Sequence, residues 1–82
     1  RELPEQMPEI AVPQRSRIIE LIVRAGFARS NNEARRLVTQ GGVRLDGRRV
    51  DDPEEVVELD EPIVLQVGKR RFARLVPSDV ND

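Results

Sequence analysis

The residues in this chain best equipped for chemistry are its arginines, and the chemistry they suit is the binding of phosphate. Arginine outnumbers lysine thirteen to one. A guanidinium offers a planar fork of N–H donors that matches phosphate oxygens and can also stack on a flat base. Arg17, Arg29, Arg35, Arg36, Arg44 and Arg48 fall within one stretch, interleaved with Ser30, Asn31, Asn32 and Gln40. Lys69, Arg70 and Arg71 form a second group. Catalysis has no comparable support. The chain contains no histidine and no cysteine, which removes the commonest general base, the commonest nucleophile–base pairs and the commonest metal ligands. Ser16, Ser30, Thr39 and Ser78 have no base partner, and no glycine-rich phosphate loop is present. The carboxylates crowd into residues 51–61 without the spacing of a calcium loop. No catalytic residue and no metal ligand is therefore assigned.

The net charge of −1 argues at first sight against a polyanionic partner, but the charges are segregated. Residues 15–49 carry nine arginines against Glu20, Glu33 and Asp46. Residues 50–62 carry seven carboxylates and no cation, and residues 63–76 carry four cations and no carboxylate. Two basic blocks flank an acidic one, and the field at a surface follows the distribution of charge more than its total.

The elements that must position these side chains are legible in the spacing. Residues 16–25 read as a first helix, with Ser16 as its cap, Ile18, Leu21, Ile22 and Ala25 on one face, and Gly26 as its stop. A short connector, Phe27-Ala28-Arg29, leads to a second helix. Ser30 and Glu33 give that helix the capping-box form, Ala34, Leu37 and Val38 its apolar face, and Gly41-Gly42 its end. Arg35 and Arg36 do not fit the apolar face, and the helix N-terminus at Arg29-Ser30-Asn31-Asn32 is suited to an anion.

After Gly42 the period changes. Residues 43–50 read as a hairpin around Asp46-Gly47, a dipeptide that accepts the positive φ such turns demand. Residues 51–62 read as an acidic loop with a short strand or turn near Val56 and Val57. Residues 63–67 and 70–76 read as strands joined at Gly68-Lys69, and both look apolar on both faces, which leaves the buried side open. Phe27 and Phe72 are expected in the core, because a small core needs its largest side chains. Pro4, Pro8 and Pro13 make residues 1–14 an extended linker, and residues 78–82 read as a frayed tail. The domain proper is placed at 15–77. With no initiator methionine, the chain reads as part of something longer.

The expected fold is α+β: two packed helices on a small, mainly antiparallel sheet of about four to five short strands. No apolar run reaches membrane-spanning length, and no signal peptide is visible, which fits a cytoplasmic protein.

The run from Arg17 to Val50 resembles the RNA-binding domain named after small-subunit ribosomal protein S-four. The matching features are Arg17, Gly26, Ser30, Glu33-Ala34-Arg35, Gly41-Gly42 and Val43-Arg44-Leu45-Asp46-Gly47, in that order. The resemblance implies a concave basic surface for structured RNA, built from the two helices and the hairpin. The ending LQVGKRRFARL is similar to that of bacterial tyrosyl-tRNA synthetases, whose last domain is of this type. By that resemblance the chain is a tRNA-binding tail, holding the region of the long variable arm. It would join a catalytic domain through residues 1–14, in a parent that is a homodimer and uses ATP and magnesium. The tail itself would need no cofactor, and the parent's two adenylate-forming signatures are absent from it.

Two alternatives stand beside this reading. One is the corresponding domain of a pseudouridine synthase or a ribosome-associated protein. The other is a protein-interaction module using the acidic loop 51–61.

Overall fold

The chain carries both helices on one side of a five-stranded sheet, and a two-stranded ribbon closes the N-terminal side of the first helix. In the computed structural model residues 7–78 are described. Strands β1 (Glu9–Pro13), β2 (Arg15–Arg17), β3 (Val43–Leu45), β4 (Arg48–Arg49), β5 (Val56–Glu58), β6 (Ile63–Val67) and β7 (Arg71–Ser78) accompany helices α1 (Ile18–Arg24) and α2 (Asn31–Thr39). The main sheet has the order β1-β7-β6-β3-β4, and the ribbon pairs β2 with β5. Among the described residues only β1 and β7 run parallel; the other pairs are antiparallel. The expected α+β architecture is the one observed.

Both helices end in the same way. Beyond α2, Gly41 N–H donates to the Val38 carbonyl at 2.9 Å and Gly42 N–H to the Leu37 carbonyl at 3.1 Å. This pattern needs a left-handed residue just past the helix, and Gly41 supplies it at φ +80°. Gly26 and Phe27 repeat the pattern onto Val23 and Ile22 at the end of α1. The hairpin turn is equally specific. Asp46 and Gly47 both adopt positive φ, 48° and 87°, as a two-residue turn between twisted strands requires.

The core is formed where α1 and α2 meet the sheet. Ile18, Leu21 and Ile22 of α1 and Ala34 and Val38 of α2 are buried against Val43, Leu45, Leu65, Val67 and Leu75 of the sheet. On β6 and β7 the open question of the buried face is settled by register. Leu65 lies opposite Ala73, and Ile63 opposite Leu75. Leu65, Ala73 and Leu75 are fully buried.

Four expectations need correction. Ser16 does not cap α1. It lies in β2 opposite Val57, only 7% exposed, and the helix starts two residues later. The strand pairing holds Arg17 extended at ψ 148° without a side-chain cap, and the Ile18 N–H instead donates to the Glu55 carbonyl at 2.9 Å.

Second, the prolines do make residues 9–13 extended, but as a sheet strand and not a free linker. Val12 is 1% exposed, and an edge strand tolerates a residue without an N–H. Residues 1–6 of that linker lie outside the described residues.

Third, Phe72 is not in the core. Period-two alternation buries Ala73 and Leu75, so Phe72 falls on the opposite sheet face, across from Gln66, and is half-buried there. Phe27 is half-buried and packs against the core edge.

Last, β7 runs through Pro77 to Ser78 instead of ending at 76, because β1 continues beside it after β6 has ended. Residues 79–82 of the expected tail lie outside the described residues.

Candidate nucleic-acid interface

The candidate surface begins at the start of α2. The Ser30 hydroxyl oxygen accepts the Glu33 N–H at 3.1 Å, as the capping box requires. Glu33 returns the bond one residue earlier than the standard form, its Oε1 accepting the Arg29 N–H at 2.8 Å. The cap thus fixes the chain direction at Arg29 and leaves the N–H groups of Asn31 and Asn32 without a partner among the described residues. Asn31, Asn32 and Arg36 are exposed on the helix, Gln40 is exposed at its C-terminal cap, and Arg35 is half-buried on its flank.

Arg35 points to a meeting of three elements. Arg17 ends β2 at the threshold of α1, and its Nη2 donates to Glu54 Oε1 at 2.5 Å. Arg35 Nη1 donates to the other oxygen of the same carboxylate. Arg48, on the hairpin, donates from Nη2 to Glu55 Oε2 at 2.6 Å, with Nη1 3.5 Å from Oε1. The bonds from Arg35, and then from Arg17, hold the Glu54 carboxyl below the usual carboxylate range. The hydrogen bond and charge of Glu55 push the Arg48 guanidinium up from its ordinary value.

The second basic group lies on the β6–β7 turn. Gly68 N–H donates to the Gly42 carbonyl at 2.8 Å, which fastens the turn to the end of α2. Arg71 Nη1 donates to the Phe27 carbonyl at 3.1 Å. Lys69 and Arg70 stand exposed at the tip.

Arg44 is placed apart from these. Its neighbours Val43 and Leu45 are buried toward the helices, so Arg44 stands on the far face of the sheet, opposite Arg49 and Gln66. Its Nη1 donates to the Gly47 carbonyl of its own turn at 3.2 Å.

The expected site residues therefore divide. Arg17, Arg35 and Arg48 converge and are matched by carboxylates. The side chains of Arg29, Arg36, Lys69 and Arg70 meet no carboxylate among the described residues. Sequence reasoning missed Glu54 and Glu55 as part of this surface. The signal for them was the adjacency of the strongest basic block and the strongest acidic block. Glu54 lies 37 positions from Arg17 and 19 from Arg35, so no local pattern shows the contact.

Two helices are stacked on a small sheet, with basic side chains at a helix start and on two hairpins. The chain belongs to the S4-domain family, whose model matches residues 16–63, more than half its length. It is similar to the tyrosine–tRNA ligase of Thermotoga maritima, 47% identical over 75 residues that cover 92% of this chain and 19% of that protein. Against the tyrosine–tRNA ligase of Moorella thermoacetica it is 52% identical over 75 residues, covering 90% of this chain and 18% of that one. Against that of Aquifex aeolicus it is 35% identical over 77 residues, covering 93% and 20%. The chain thus spans about a fifth of the length of these relatives. Among the described residues no helix is long and apolar enough to cross a membrane.

Proposed function

We propose that this chain is the tRNA-holding domain of a tyrosine–tRNA ligase. The observation that carries the reading is the convergence of Arg17 and Arg35, from separate elements, on the two oxygens of one carboxylate. Two guanidiniums placed to share one oxyanion are placed to share a phosphate. The open N-terminus of α2 and the uncompensated Arg29 and Arg36 extend the same anionic track. The similarity to tyrosine–tRNA ligases supports tRNA as the RNA; in this reading the part held is the region of the long variable arm.

The parent would be a cytoplasmic homodimer that joins tyrosine to tRNA. In this reading its ATP and magnesium are used by the parent's catalytic domain. In this chain the arginines bind and orient RNA, and no bond is made or broken. The acidic loop as a protein-docking module is disfavoured, because Asp51, Glu54, Glu55 and Glu58 are all engaged with arginines of the same chain.

The test is a binding comparison between tRNA with a long variable arm and tRNA with a short one. Tighter binding of the long-arm form supports the reading. Equal or absent binding contradicts it.

A further inference from the structure

The turn that delivers Glu54 and Glu55 is built, not incidental. Asp52 Oδ1 accepts the Glu54 N–H at 2.8 Å, and the Asp52 carbonyl accepts the Glu55 N–H at 3.0 Å. The Glu55 carbonyl then accepts the first helical N–H of α1, from Ile18, at 2.9 Å. The backbone of the acidic loop is thereby fixed to the start of α1, beside three arginines of the candidate surface. Each of those arginines donates to a carboxylate oxygen, an acceptor of the same kind as a phosphate oxygen.

We infer that Glu54 and Glu55 occupy phosphate positions on the arginine surface and thereby set its selectivity for RNA shape, an inference that rests on the proposed RNA-binding function. In the free chain the two carboxylates cancel most of the pull that Arg17, Arg35 and Arg48 exert on any polyanion. Long-range attraction is left to the cations without a carboxylate partner among the described residues, Arg29, Arg36, Lys69 and Arg70 among them. An RNA whose phosphates reach several of these groups at once can also exchange into the Glu54 and Glu55 positions. The exchange is most open at Glu54, where the pairs are surface pairs: the side chains of Arg17, Arg35 and Glu54 are 45%, 40% and 54% exposed, and ion pairs so exposed are weak. At Glu55, 24% exposed beside an Arg48 that is 60% exposed, the arginine is the partner open to the RNA. A polyanion of the wrong shape reaches too few of the cationic groups to displace the carboxylates.

The test uses the 82-residue chain with the double substitution Glu54→Gln and Glu55→Gln. The backbone bonds of the turn do not involve these carboxylates, so the fold is retained, and the denaturant midpoint checks this. Glu61→Gln, an exposed carboxylate with no arginine partner among the described residues, is the control. Affinity is measured by filter binding for a long-arm tRNA and for a short random-sequence RNA duplex, across a salt series.

The double variant should bind the duplex about tenfold more tightly at low salt, with a log K against log salt plot steeper by roughly one to two units. Its gain for the tRNA should be smaller, so that selectivity falls, while Glu61→Gln behaves as the parent. Unchanged selectivity in the double variant overturns this inference alone. So does weaker binding of both RNAs, which would make the carboxylates props for the arginines. A parental chain that binds neither RNA overturns the proposed function itself.

Discussion

Arg71 lies over the ring of Phe27, its Cζ 5.4 Å from the ring centroid, while its guanidinium donates to the Phe27 carbonyl. One side chain thus ties the last hairpin to the connector between the helices, through a cation–π contact and a hydrogen bond. An exposed cation–π contact contributes about 0.5–1 kcal/mol, and a hydrogen bond about 1 kcal/mol net. Arg71→Ala should therefore cost about 1–2 kcal/mol in a denaturant titration. A double-mutant cycle with Phe27→Leu should return a coupling of roughly 0.5–1 kcal/mol, and additive single effects would deny the contact.

The two sharpest local signals predict measurable losses. Ser30→Ala removes the acceptor for the Glu33 N–H and should cost about 0.5–2 kcal/mol. Gly47→Val forces a β-branched residue to φ +87° and should also destabilise the fold. Nothing lies within 4 Å of a Cβ built at Gly47, so the loss there would come from backbone strain and not from a clash. Unchanged denaturant midpoints in both variants would refute these roles.

Residues 9–13 offer a direct contrast between a strand and a linker. Val12 is 1% exposed beside β7, so Val12→Ala removes two buried methyl groups. At about 0.8 kcal/mol per buried CH₂ the loss should be about 1.5–2 kcal/mol. A free linker predicts no change in the unfolding midpoint.

The pH dependence has a defined sign. The Glu54 carboxyl is depressed in the folded chain, first by its bond from Arg35 and then by that from Arg17. A depressed carboxyl contributes stability above its unfolded value, about 4.3, and that contribution is lost as pH falls through the folded value. No histidine titrates in between. Stability should be flat between about pH 6 and 8 and fall below about pH 4, with a shallower fall in Glu54→Gln. An equally steep acid limb in the variant would remove Glu54 from the account.

What the sequence made legible was local. The Ser30–Glu33 cap, the Asp46-Gly47 turn and the strand at 63–67 each rest on neighbours within a few positions, and each stands where the spacing places it. What escaped it was set by distant partners. Ser16 is a good cap by type, yet pairing with Val57 draws it into a strand. Residues 9–13 become a strand only because β7 arrives beside them. Phe72 faces away from the helices because Leu75 and Ala73 set the phase of β7. The same holds for the candidate surface: its arginines are visible in the sequence, but the carboxylates matched to them are brought there by the fold.

The measurement closest to the central claim is the salt dependence of tRNA binding by the variant Arg29→Ala, Arg35→Ala, Arg36→Ala. If α2 lies along the RNA backbone, each arginine neutralises phosphate and releases condensed counterions. The variant should bind more weakly, with a log K against log salt plot flatter by roughly 0.7–0.9 for each phosphate no longer neutralised. Among the single variants, Arg36→Ala should flatten the plot more than Arg35→Ala, because Glu54 already offsets Arg35. A triple variant that keeps the parental affinity and slope at every salt concentration would contradict the account.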